Sequence, residues 1–275
     1  MSSFRPIGNA MTSTASAYNH LLVEDRANVR IVTINRPDKL NALNYAVLTE
    51  LHDAFAQIAA DPDVRVAVLR GAGGKAFVAG ADIAELAALN PIQARDFSRR
   101  GQQMMRSIEV LGKPVIAMIG GFALGGGMEL AMCCHLRIAA ETAKLGQPEI
   151  NLGVLPGFGG TQRLLRLAGR GAALELCLVG APITAQRAYE LGIVNRVVPL
   201  DQLEEVTFAL ATQFATAAPQ ALRGILDAIL IGGECGIEAG LDYETQAFAV
   251  CTSTNDMREG TAAFLERRKP SFRGN

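Results

Sequence analysis

Two glutamates stand in apolar, glycine-rich settings, and around the first of them the surroundings ordinarily exclude a carboxylate. Glu129 is preceded by Gly125, Gly126 and Gly127 and followed by Leu130, Ala131, Met132, Cys133 and Cys134. On a helix its neighbours one turn away are Gly125, Gly126, Met132 and Cys133, so no face around it is polar. Burying an unpaired carboxylate costs roughly several kcal/mol or drives its pKa upward. A carboxylate kept in such a place points to chemistry rather than solvation. Glu149 lies in GQPEINLGVLPGFGG, between a proline turn and a second glycine cluster. Alone it reads as a solvated loop residue. Paired with Glu129 it could make up an acid and a base, the two pKa values pushed apart by environment. Twenty positions separate them, and spacing alone does not bring them together. Gly125 to Gly127 also open a helix whose free N–H groups can face a developing negative oxygen, and Ala81, after Gly80, offers a second donor.

The glycine clusters have other readings. GAGGKA (71–76) fits a GxGxxA dinucleotide fingerprint after a strand, but FVAGAD follows instead of a long helix, and no strand-end acid stands at the expected distance. Lys75 is followed by Ala76, which excludes a phosphate loop of the Walker type. Plain tight turns remain a third reading. The histidines, His20, His52 and His135, form no Ser-His-Asp pattern. Cys133, Cys134 and His135 lack metal-ligand spacing, and adjacent thiols are expected to point to opposite sides. No metal site is expected. The five cysteines contain no CxxC pair and read as buried small hydrophobes in a reducing cytoplasm.

Of 275 residues, 49% are hydrophobic and 19% charged, which excludes a disordered chain; a net charge of −1 and the absence of Trp leave no footprint for nucleic acid. Val115 to Cys134 has Glu129 as its only charge, yet its glycines suit a strand, a turn and a short buried helix better than a membrane span. The chain is expected to be soluble and cytoplasmic. Residues 1–17 lack the apolar core of a secretory signal and read as a flexible extension, with Met11 a possible start.

The elements that must position the glutamates read as an α/β pattern. Runs at 20–24 and 29–35 predict a hairpin; Asn44 caps a helix to about Ala60 with Val47, Leu48, Leu51, Phe55 and Ile58 on one face. VRVAVLRG (64–71) reads as a strand and 71–82 as a loop. A helix spans 91–111, a strand 114–120, a short helix runs through Glu129, and HLRIAA (135–140) is another strand. From Pro156 onward the pattern is mainly helical: 160–168, 171–179, 184–191, 201–217, 219–231, 237–252 and 256–268. The simplest division is a core over 18–200 and a helical C-terminal region over 201–275, whose helices, with Ile237, Leu241, Phe248 and Val250, need a further surface to cover them.

Six segments together resemble the crotonase (enoyl-CoA hydratase/isomerase) superfamily: NRPDKLNALN (35–44), KAFVAGADI (75–83), KPVIAMIGGFALGGGMELAMCC (113–134), LGQPEINLGVLPGFGGTQRL (145–164), AQRAYELGIVNRVV (185–198) and AFLERRKPSF (263–272). The resemblance implies a crotonase-like ββα spiral core with a helical C-terminal oligomerisation region, assembled as a homotrimer or homohexamer. It implies an acyl-CoA thioester substrate, with no metal or redox cofactor, coenzyme A entering as part of the substrate. The N–H groups of Ala81 and Gly126 would hold the thioester oxygen, and Glu129 and Glu149 would be the catalytic pair of a hydratase. Lys39, Ala42, Asp82 and Ile83 fall where relatives touch coenzyme A, as do Phe264 and Arg267 from a neighbouring subunit. Ala84 stands where many hydratases have Lys, Met128 and His135 replace a frequent Cys and Asp, and Phe158 sits where Ala is common.

The expected activity is therefore hydration of a trans-2-enoyl-CoA, with β-oxidation of fatty acids as the default role. The same fold also hosts Δ3-Δ2 enoyl-CoA isomerases, in which one carboxylate shuttles a proton, other acyl-CoA lyases, and non-catalytic RNA-binding relatives. Two glutamates favour the hydratase, and a neutral chain without a basic stretch disfavours RNA.

Overall fold

The run VRIVTIN folds back on the apolar segment before it: Leu21–Arg26 (β1) pairs antiparallel with Val29–Ile34 (β2), as the sequence predicts. The computed structural model describes residues 18–275, so the expected extension over 1–17 lies outside the described residues. Tyr45–Ala60 (α1) begins where Asn44 Oδ1 accepts a hydrogen bond from Val47 N at 2.9 Å, and it buries the predicted stripe from Val47 to Ile58.

From there the chain makes one move three times. A long strand enters a six-stranded sheet, a short strand turns out into a second sheet, and helix returns. Val66–Gly71 (β3) and Ala76–Val78 (β4) precede Ile83–Ala87 (α2) and Pro91–Glu109 (α3). Val115–Ile119 (β5) and Phe122–Leu124 (β6) precede Gly126–Cys133 (α4). Leu136–Ala140 (β7) and Lys144–Gly146 (β8) precede Gly160–Val179 (α5), which breaks at Gly169 as the two predicted helices require. Ile183–Thr184 (β9), Ala185–Glu190 (α6) and Arg196–Val198 (β10) complete the sheets, whose orders are β1-β2-β3-β5-β7-β10 and β4-β6-β8-β9. Apart from β1 and β9, all neighbours are parallel. This is the ββα spiral the resemblance implies.

The second sheet is what sequence reading missed. The segment 71–82, read as a loop, contains β4, and neither β6 nor β8 was expected. Each is three residues long, too short for apolar alternation to register.

Leu203–Ala215 (α7) lies beyond the boundary at residue 200 but packs with the core. Leu203, Phe208, Leu210 and Ala211 cover Val29, Ile31, Val66, Val68 and Ile116 on one face of the large sheet. The remaining helices, Pro219–Gly232 (α8), Ile237–Thr252 (α9) and Asn255–Leu265 (α10), bury little: Ile229, Ile237, Phe248 and Phe264 are all largely exposed. Among the described residues no single helix is long and apolar enough to cross a membrane; Val115 to Cys134 divides into β5, β6 and α4.

Candidate active site

The separation of the candidate residues along the chain is resolved by the small sheet. Its strands β4, β6 and β8 are parallel neighbours, so their C-terminal ends lie at one edge. Ala81 stands three residues past Val78, Gly126 two past Leu124, and Glu149 three past Gly146. Three repeats of one move thereby deliver three chemical groups to one place, the side where parallel sheets of α/β proteins bind ligands. A largely apolar cavity of about 400 Å³ opens there, lined by Ala81, Ile83, Gly126, Glu129, Glu149 and Phe158 among others.

Glu129 is 1% exposed. Its Oε1 accepts from Phe158 N at 2.8 Å and Gly160 N at 2.7 Å. Burial, with the negative charge of Glu149 adding to it, raises its pKa from 4.5 to about 7 against the pull of those two N–H groups. The loop that supplies them is held by Arg163, whose guanidinium donates to Phe158 O at 2.7 Å and to Glu109 Oε1 at 2.6 Å.

Glu149 is half-buried in a 3-10 turn over Pro148–Leu152, and burial lifts its pKa to about 7 as well. With its amide nitrogen facing the carboxylate, the fully buried Gln147 donates to both Glu149 oxygens at 3.1 Å. Both carboxyls are raised to about 7 rather than pushed apart, Glu129 by burial with the charge of Glu149 adding to it, Glu149 by its own burial. Such a pair can both give and take a proton at physiological pH.

The backbone between them is shaped by glycine. Gly125 has φ +51° and ψ −122°, a conformation that side chains resist, and a Cβ there would stand 2.6 Å from Glu149 Oε1. Its N–H donates to Gly146 O at 2.8 Å, tying the end of β6 to the end of β8. The next N–H, of Gly126, is the first of α4 and has no carbonyl one turn behind it. Among the described residues, neither it nor the Ala81 N–H has a backbone acceptor. Leu43 N donates to Gly80 O and Asp82 N to Leu43 O, which holds the Ala81 segment in place.

The remaining candidates distribute less evenly. Ile83 lines the cavity mouth and is 50% exposed. Asp82 and Ala42 lie behind it, joined by Arg36, which donates to Asp82 Oδ2 at 3.0 Å and to Ala42 O at 2.6 Å. The Arg36 guanidinium holds the Asp82 carboxyl below the usual range. Lys39 is exposed, just before the segment 40–43 that pairs with 79–82. Phe264 and Arg267, at the end of α10, are exposed and do not line this cavity within one chain.

Among the described residues no group of three or more His, Cys, Asp or Glu is placed to hold a metal ion. The thiols of Cys133 and Cys134 do not point apart as expected. Both donate to Leu130 O, at 3.0 and 3.4 Å, because the chain leaves the helix between them. His135 instead braces two elements, its Nδ1 accepting from Val115 N at 2.9 Å and its Nε2 facing Glu109 O at 3.1 Å.

Sequence reasoning passed over Gln147 and Arg163. The one available signal for Gln147 was a polar side chain in the same turn as Glu149; Arg163 reads as an ordinary helix arginine.

The family model for enoyl-CoA hydratase/isomerase matches residues 24–275. The chain is 45% identical to a short-chain-enoyl-CoA hydratase of Clostridium acetobutylicum, over 91% of this chain and 96% of that protein. It is 44% identical to a crotonyl-CoA hydratase of Syntrophomonas wolfei, over 93% and 98%. In three dimensions it is similar to a crystal structure of an enoyl-CoA hydratase from Bacillus anthracis, with a TM-score of 0.91 and 42% identity, over 94% of this chain and all of that one.

Proposed function

The chain belongs to the enoyl-CoA hydratase/isomerase family, and on that premise we propose that it is an enoyl-CoA hydratase, adding water across the double bond of a trans-2-enoyl-CoA to give a 3-hydroxyacyl-CoA. The observation that carries this reading is the meeting of Glu129 and Glu149, both raised to about 7, on one apolar cavity with two amides that have no backbone acceptor among the described residues.

In a conjugated enoyl thioester, attack at Cβ moves an electron pair through Cα onto the carbonyl oxygen. The Ala81 and Gly126 N–H groups donate to that oxygen as its charge grows. Glu129, whose anion is supported by the N–H groups of Phe158 and Gly160, takes a proton from water as the water oxygen bonds to Cβ. Glu149, neutral, gives its proton to Cα, and exchange with solvent restores both. The scheme uses no metal or redox cofactor; coenzyme A arrives with the substrate. Lys39, Ala42, Asp82 and Ile83 make the coenzyme A side of the site.

A Δ3-Δ2 isomerase needs only one carboxylate to shuttle a proton, so the paired arrangement favours hydration. The test is the loss of conjugated enoyl-thioester absorbance when crotonyl-CoA is added. Disappearance of the band with formation of 3-hydroxybutyryl-CoA is expected; an untouched band, with product formed only from a 3-enoyl-CoA, overturns the hydratase in favour of the isomerase.

The exposed apolar side chains Ile225, Ile229 and Phe248 on α8 and α9 fit an assembly in which copies cover one another, with Phe264 and Arg267 of one copy reaching the coenzyme A of the next. The expected solution mass is three or six times 29.1 kDa by sedimentation, and a monomer at micromolar concentration overturns this assembly. The protein acts in the cytoplasm on fatty acyl thioesters and has no nucleic-acid partner.

A further inference from the structure

We propose that the Phe158 ring is the stop that limits acyl-chain length, closing the cavity just beyond the reacting carbons. The proposal rests on the enoyl-CoA reading of the cavity. Phe158 acts at two levels: its N–H holds Glu129, while its ring, 4% exposed, forms wall.

The ring is pinned between two helices. On one side it touches α4, where a Cβ on Gly126 would lie 3.3 Å from Phe158 Cδ2. The ring therefore sits against the peptide whose N–H would grip the thioester oxygen. On the other side it fills a notch in α3, where a Cβ on Gly101 would come within 2.2 Å of Cδ1. Any larger residue at 101 would push the ring toward the substrate. Phe97, also buried, meets Phe158 edge to face at 5.2 Å and 66°. Aromatic pairs packed in this way resist rearrangement. Elsewhere the cavity wall is open, with Ile83, Leu152 and Leu155 at least half exposed. A thioester held at Gly126 with Cβ beside Glu129 thus carries the rest of its chain toward a closed aromatic end, and each additional methylene must displace packed ring atoms.

The experiment compares kcat/KM for 2-enoyl-CoA substrates of four, six, eight and ten carbons in the wild type and in Phe158→Ala, which keeps the N–H on Glu129. The wild type is expected to prefer four carbons and to fall steeply with length. In the variant the ratio of eight-carbon to four-carbon rates should rise at least about tenfold, since each methylene newly accommodated is worth a factor of about four. Phe158→Leu should give a smaller change in the same direction and serves if the alanine variant does not fold. Equal rates at all lengths in the wild type, or one common factor of change at every length in the variants, overturns the proposal. Absence of turnover on every enoyl-CoA overturns the hydratase reading instead. Calorimetric affinities for saturated acyl-CoAs of the same lengths then answer the chain-length question, and an unchanged length ranking in Phe158→Leu overturns the stop.

Discussion

Glu129→Gln is expected to fold, to keep its cavity and to lose hydration of crotonyl-CoA by about 10²–10⁴-fold, the range supplied by a positioned acid or base. The glutamine Oε1 can still accept from Phe158 N and Gly160 N, so the loop stays where it is. What disappears is the ability to take a proton from water. Glu149→Gln should lose turnover to a similar degree, because the carbanion at Cα then has no donor. The same Glu129 variant should gain stability at alkaline pH. In the folded protein the Glu129 carboxyl keeps its proton up to about 7, whereas in the unfolded chain it releases it near 4.5. Between those values the unfolded state binds fewer protons, so wild-type stability falls as pH rises. At 1.36 kcal/mol per pKa unit the loss approaches about 3 kcal/mol, and the glutamine does not suffer it. Thermal unfolding at pH 5 and pH 8 checks this: the advantage of the variant should be small at the lower pH and large at the higher. Wild-type turnover in either variant would remove that residue from the chemistry, and a pH-independent difference in melting would contradict the burial argument.

Gly127→Ala is expected to damage both fold and chemistry. A Cβ at 127 would lie 1.9 Å from Val78 O and 2.7 Å from its carbonyl carbon, and both are backbone atoms of β4 that cannot turn aside. Helix α4 would have to lift from the small sheet, carrying the Gly126 N–H and the Glu129 carboxylate with it. Overpacking of this kind costs about 1–3 kcal/mol of stability. With the Gly126 N–H holding the thioester oxygen as proposed, its displacement costs a further ~10²–10³ in kcat. Gly171→Ala, where a Cβ meets nothing within 4 Å on helix α5, is the control and should be neutral or stabilising. A Gly127→Ala protein with the melting temperature and kcat of the wild type would show that α4 does not need its close seat on β4.

Much of this protein was readable without coordinates where the cause is local. Asn44 capping α1, the buried stripe from Val47 to Ile58, and the break at Gly169 follow from residues within a turn or two of one another. The abnormal setting of Glu129 was likewise visible, because an all-apolar helix surrounds it whatever the rest of the chain does.

Other features have distant causes. Glu129 and Glu149 meet because β6 and β8 are parallel neighbours, and Ala81 joins them because β4 lies on the other side of β6. Those strands are three residues each and are stabilised by pairing across the sheet rather than by their own side-chain pattern, so no window along the chain reveals them. For the same reason the supporting roles of Gln147 and Arg163 could not be read: each depends on a partner brought close by folding, an amide beside Glu149 and a guanidinium bridging Glu109 to the Phe158 loop. Residue types announced which groups were unusual; the stacking of three ββα turns put them within reach of one substrate, because parallel strands end on the same side.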